Sequence, residues 1–170
     1  MMTYKEKQTW ALLLSGLFVL FLYLKRVFDI YAIDGISTFN DTNFWAKTML
    51  VYIGIGIGLT ILVMILFNVF FAIGAKVKNK IDADISGLEE EDIDDVFDNV
   101  EDEMDRLINL KAGQISYVVV SIGFVAGLIT LTFDLPFVIM LNIVYLSFML
   151  GASIEGIIKL NYYKKGVSHG

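Results

Sequence analysis

The sequence predicts an all-α integral membrane protein: a four-helix bundle with an acidic amphipathic helix on its cytoplasmic side, between the second and third spans. Three observations predict it. Four runs are apolar over about 20 residues, the length that crosses the hydrocarbon core of a bilayer. The 13 Lys and Arg residues divide ten against three between the two sides that those runs define. Between the second and third runs lies a highly charged stretch whose apolar residues nonetheless keep a helical period.

Composition sets the frame for this reading. The chain has 170 residues, of which 56% are hydrophobic, one is Pro and none is Cys. That apolar share exceeds the roughly 45–50% of soluble domains, and the length fits one domain, 1–170. Zero Cys excludes disulfides, thiolate metal sites and thiol nucleophiles together. The net charge is -6, and nearly all of the excess acid lies between Asp82 and Asp105. No basic footprint for nucleic acid exists.

The first span is expected over about 10–31. Lys5 and Lys7 precede it, as in a secretory signal, but the apolar run ends on Lys25-Arg26 without a small-residue cleavage site. It therefore reads as a retained helix, with Lys25 and Arg26 snorkelling outward and Asp29 one turn on, within pairing reach. Asp34 to Asn43 is rich in Gly, Ser, Asn, Asp and Thr and reads as an exposed loop. The second span, about 45–75, is the strongest apolar run and is long enough to tilt or project. The third covers about 113–133 and the fourth about 136–160. Asp134-Leu135 leaves room only for a tight antiparallel hairpin, and Pro136 suits the first turn of the last helix. Backbone groups in lipid must pair within the segment, so these runs are helices.

Orientation follows the basic residues. Lys5, Lys7, Lys76, Lys78, Lys80, Arg106, Lys111, Lys159, Lys164 and Lys165 share one side, and Lys25, Arg26 and Lys47 the other. The expected topology in the cell membrane therefore has the N-terminus, the central segment and the C-terminus in the cytoplasm.

The acidic segment, 82–112, is expected to be a helix that runs into the third span. Ile93, Val96, Phe97, Val100, Met104, Leu107 and Ile108 form one apolar stripe, with Asp and Glu on the other faces. Ser86 and Glu89 match a capping box, and acid crowds the first turns, where the helix dipole favours it. The stripe either packs on the protein's own spans, docks a partner, or lies on the membrane surface. Anionic headgroups disfavour the last of these. Asp82, Asp84, Ser86 and Gly87 match the opening of a calcium loop, but Glu89 and Ile93 stand where an apolar residue and a bidentate Glu belong. No metal site is expected.

Small and polar residues inside the spans are the remaining candidates. Gly54 and Gly58, and Gly123 and Gly127, are two GxxxG pairs that let another helix come close. Packing within the bundle is the expected use, and homodimerisation the alternative. Glu155 is the ionisable residue at membrane depth, with Lys159 one turn later in the favoured order. An interfacial salt bridge is the simpler reading; a proton or cation site with Asn68 is the sharper one. Asn142 reads as an interhelical hydrogen bond. No His partner, nucleophile elbow or P-loop accompanies these residues.

Two stretches carry a resemblance. Asp102-Glu-Met-Asp-Arg-Leu-Ile-Asn-Leu-Lys-Ala112, leading through Ile115-Ser-Tyr117 into a span, resembles a D-E-x-[DE]-R-x-I-x-x-K-[AS] element of small multi-span bacterial membrane proteins of uncharacterised function. Tyr162-Tyr-Lys-Lys-Gly166 resembles their Y-x-R-R-G tail, with Lys164 and Lys165 where Arg is usual and Met104 where a basic residue is usual. The resemblance covers the C-terminal half. It implies a charged cluster of Glu103, Arg106 and Lys111 at the membrane entry and brings no activity with it.

The expected function is thus non-enzymatic and cofactor-free: association with a protein partner or a second copy within the bilayer, as an accessory, regulatory or immunity-type subunit. Ile93, Val96, Phe97, Val100 and Met104 are the candidate contact residues. The other class is a small oligomeric transporter or channel that uses Glu155 and Asn68.

Overall fold

The computed structural model of the chain describes residues 4–86 and 103–165. Among them stand four long helices, α1 (Tyr4–Asp34), α2 (Thr42–Ser86), α3 (Glu103–Thr132) and α4 (Phe137–Lys165), with a short 3₁₀ helix over Gly35–Asn40. All four are long and apolar enough to cross a membrane.

The helices outrun the apolar runs that announce them. α1 begins at Tyr4 rather than near residue 10, and α2 continues from residue 75 to Ser86. Hydropathy falls where charge begins, but Lys, Asp, Ala and Ile still propagate a helix that has already nucleated. Asp82, Asp84 and Ser86 consequently lie in the last turns of α2, so the opening of the calcium-loop match is helical there. The stretch read as an exposed loop is largely ordered too: α1 runs to Asp34, and the 3₁₀ helix follows, entered through Gly35 at φ 63°. Glycine takes that left-handed backbone without the Cβ penalty. Lys25, Arg26 and Asp29 are each exposed, and no ion pair joins them among the described residues.

Local chemistry fixes the corners. The Asp41 carboxylate caps α2 by accepting from the Phe44 backbone N–H at 2.9 Å. Between α3 and α4, Asp134 sits at φ 55°. The Leu135 N–H bonds to the Thr130 carbonyl and the Asp134 N–H to that of Leu131, which together form a Schellman stop. Asp is among the few side chains that tolerate this conformation. Pro136 stands one residue ahead of α4, its carbonyl accepting from the Ile139 N–H.

The helix order across the bundle is α2, α1, α4, α3. α3 and α4 pack along their length, α1 meets both α4 and α2, and α2 scarcely touches α4. At the distal end Trp45 is fully buried against Ile30 and Val138, flanked by Val27, Phe39 and Phe44. α2 is the outlier, for no residue of its most apolar stretch is buried.

Candidate functional site

The proximal end, where α1 starts and α4 finishes, gathers the charged groups. Lys5 on α1 pairs with Asp105 on α3. Lys159 pairs with Glu155 at 2.7 Å along α4, the local i,i+4 bridge that the sequence spacing favours. The Tyr4 hydroxyl donates to Asn68 Oδ1, and its ring packs on Phe67 and Phe71 at centroid distances of 5.2 and 4.4 Å. Asn68 is therefore a fastener between α1 and α2. Glu6, Asn109, Lys111 and Tyr163 are engaged as well, and Glu6 is buried. Of the cluster that the resemblance implies, Glu103 and Arg106 are exposed, while their neighbour Asp105 makes the bridge to α1.

A buried polar cluster lies further along the bundle. Tyr23 on α1 is fully buried and donates its hydroxyl to Asn142 Oδ1 on α4 at 2.7 Å. The Asn142 Nδ2 in turn donates to the Val138 carbonyl at 2.9 Å. Tyr52 of α2 and Tyr145 of α4 meet the Tyr23 ring edge-on, at 5.2 and 4.6 Å. Sequence reasoning marked Asn142 as a bond between helices but did not find its partner or the three tyrosines. Their only signal is a hydroxyl-bearing ring in each of three apolar runs. Tyr23→Phe is expected to cost about 1 kcal/mol, because it strips a buried acceptor of its donor. Detergent-titrated unfolding measures this, and a cost within about 0.3 kcal/mol of zero would show the bond to be worth nothing net.

From this cluster a cleft of about 730 Å³ runs between α1, α2 and α4 to the proximal end. Glu155 and Lys159 line it; Asn68 does not. The two residues of the transport reading thus stand apart, one in the cleft and one in the α1–α2 fastener.

The two glycine pairs have different surroundings. Gly123 and Gly127 are buried against α4, beneath Ser147 and beneath Met140 and Val144. Gly54 and Gly58 are exposed, and a Cβ at either would meet nothing within 4 Å. Of the stripe residues, Met104 is exposed and Ile108 fully buried, while Ile93, Val96, Phe97 and Val100 lie outside the described residues.

No group of His, Asp and Glu among the described residues is arranged to hold a metal ion. These features define a class: an all-helical protein with four helices long and apolar enough to cross a membrane, and a cleft between three of them. Comparison with protein families, with curated proteins and with solved structures finds no match to this chain.

Proposed function

We propose that the chain is a multi-pass integral membrane protein, with both termini in the cytoplasm, that acts through protein association and not through catalysis. One observation carries this reading. α2 leaves its most apolar stretch unburied, with Gly54 and Gly58 open on its surface. Lipid covers such a face adequately, but the small-residue pair gives a second helix closer contact than lipid tails do. A second copy of this chain is the partner that the α2 face fits, since a two-fold contact sets the same GxxxG patch against itself. The acidic segment from residue 82 to 112, with Ile93, Val96, Phe97, Val100 and Met104 on its apolar stripe, is the proposed contact for a cytoplasmic protein. In the proposed topology its negative charge falls on the same side of the membrane as ten of the 13 Lys and Arg residues.

The test is association in bilayers. Wild-type protein carrying fluorescent labels is expected to dimerise in vesicles. The double variant Gly54→Leu with Gly58→Leu is expected to weaken the dimer about tenfold or more, because leucine holds the backbones apart. Each site has open space around it, so the monomer should stay folded. A wild-type chain that stays monomeric at every protein-to-lipid ratio would sink the reading.

A further inference from the structure

We propose that the cleft between α1, α2 and α4 holds one phospholipid of the phosphoethanolamine class, with an acyl chain along the cleft and the headgroup on the Glu155–Lys159 pair. This rests on the membrane placement above but not on the dimer.

The length of the cleft suits an acyl chain. From Thr9 to Val19 the cleft follows α1 for about 15 Å, and from Tyr145 to Lys159 it follows α4 for about 21 Å, at 1.5 Å per residue. One leaflet of a bilayer core is about 15 Å thick. The cleft, about 730 Å³ in volume, is therefore long enough for an acyl chain that spans one leaflet. α2 scarcely touches α4, so the gap between them is where a chain would enter from the bilayer.

The lining chemistry agrees. Thr9, Ser15 and Ser153 donate their hydroxyls back to carbonyls of their own helices, Lys5 at 2.8 Å, Leu12 at 2.8 Å and Met149 at 2.9 Å. These three hydroxyls are therefore satisfied within their own helices, and most of the remaining lining is apolar. Charge enters the cleft at the proximal end alone, as a carboxylate and an ammonium 2.7 Å apart. The pair is neutral overall, so it draws no net anion. A headgroup that carries both signs complements it, its ammonium on Glu155 and its phosphate on Lys159. Both side chains keep about a quarter of their surface exposed, so they are within reach of such a headgroup.

Native mass spectrometry of the full chain, extracted in mild detergent, tests the assignment. Wild-type protein is expected to keep one phosphatidylethanolamine and to hold it during exchange against phosphatidylglycerol vesicles. Gly56→Trp fills the cleft from a position whose Cβ meets no atom within 4 Å. It should lower the bound fraction about tenfold, since it removes contact with two or more methylenes. Helix content should stay unchanged. Lys159→Gln should lose phosphatidylethanolamine selectivity while still retaining a lipid. Equal retention by Gly56→Trp, retention of no lipid, or exchange to phosphatidylglycerol in the wild type each overturns the proposal. Gly54 and Gly58 lie outside the cleft, so the dimer test and this one fail independently.

Discussion

A leucine at position 123 is expected to part α3 from α4 and to cost about 3 kcal/mol of stability, the upper end of what overpacking usually costs. A Cβ on Gly123 collides with Ser147 Cβ and Oγ and stands 3.6 Å from Ser147 Cα. Ser147 cannot simply swing away. It is buried, and its hydroxyl is bonded to the Val144 carbonyl of its own helix at 2.7 Å. The two backbones must separate, and the contact that holds the hairpin together along its length goes with them. The neighbouring glycines grade the effect. At Gly127 the crowding is milder, with Met140 Cγ at 3.0 Å and the Met140 carbonyl oxygen and Val144 Cγ2 at 3.4 Å, so Gly127→Ala should cost about 1 kcal/mol. At Gly54, with nothing within 4 Å, leucine should leave monomer stability unchanged. Detergent-titrated unfolding of the three variants provides the ranking. If Gly123→Leu falls within about 0.5 kcal/mol of wild type, the α3–α4 contact is not as close as described.

Gly54–Gly58 and Gly123–Gly127 mark how far the sequence could be read. Both are GxxxG pairs, and nothing in either run says which neighbour it meets. That depends on the helix order α2, α1, α4, α3, which places α3 on α4 and leaves α2 at an edge. The four long apolar helices and the tight turn at Asp134 were legible, because apolar length and a short connection are local properties, although the connection runs over four residues, 133–136, and not two. Helix ends were not, since hydropathy stops at the first lysines while the backbone continues to Ser86. The Glu155–Lys159 bridge was legible because its spacing along α4 is itself the geometry. Tyr23, Tyr52, Asn142 and Tyr145 were not, because their meeting needs three helices in register, and no pattern within one run encodes it. Lys5 and Asp105, a hundred positions apart, illustrate the same limit.

Trp45→Ala is expected to loosen the distal end of the bundle at a cost of about 3 kcal/mol, the lower part of the range for deleting a buried aromatic side chain. In the membrane placement proposed above the lower part applies, because a bilayer would supply an apolar surrounding to the unpacked chain as well, leaving lost contacts and the cavity as the main terms. Trp45 is the largest fully buried side chain among the described residues and fills the space between Ile30 of α1 and Val138 of α4. Its ring stacks on Phe39 at 5.3 Å with 15° between planes, and Phe44 meets it edge-on at 5.8 Å. Its indole N–H donates to the Thr38 carbonyl at 2.9 Å, which ties the 3₁₀ helix down onto α2. One side chain therefore holds α1, α2, α4 and the connection together. Trp45→Phe separates the two contributions: it keeps most of the packing and loses the bond, so it should cost about 1 kcal/mol. The distinguishing measurement is backbone hydrogen exchange over 35–40. In Trp45→Ala this segment should exchange far faster while α3 and the proximal ion pairs keep their protection. Uniform acceleration along the whole chain would mean that Trp45 supports the entire bundle, and unchanged exchange at 35–40 would mean that the 3₁₀ helix is held by Gly35 and Asp34 without it.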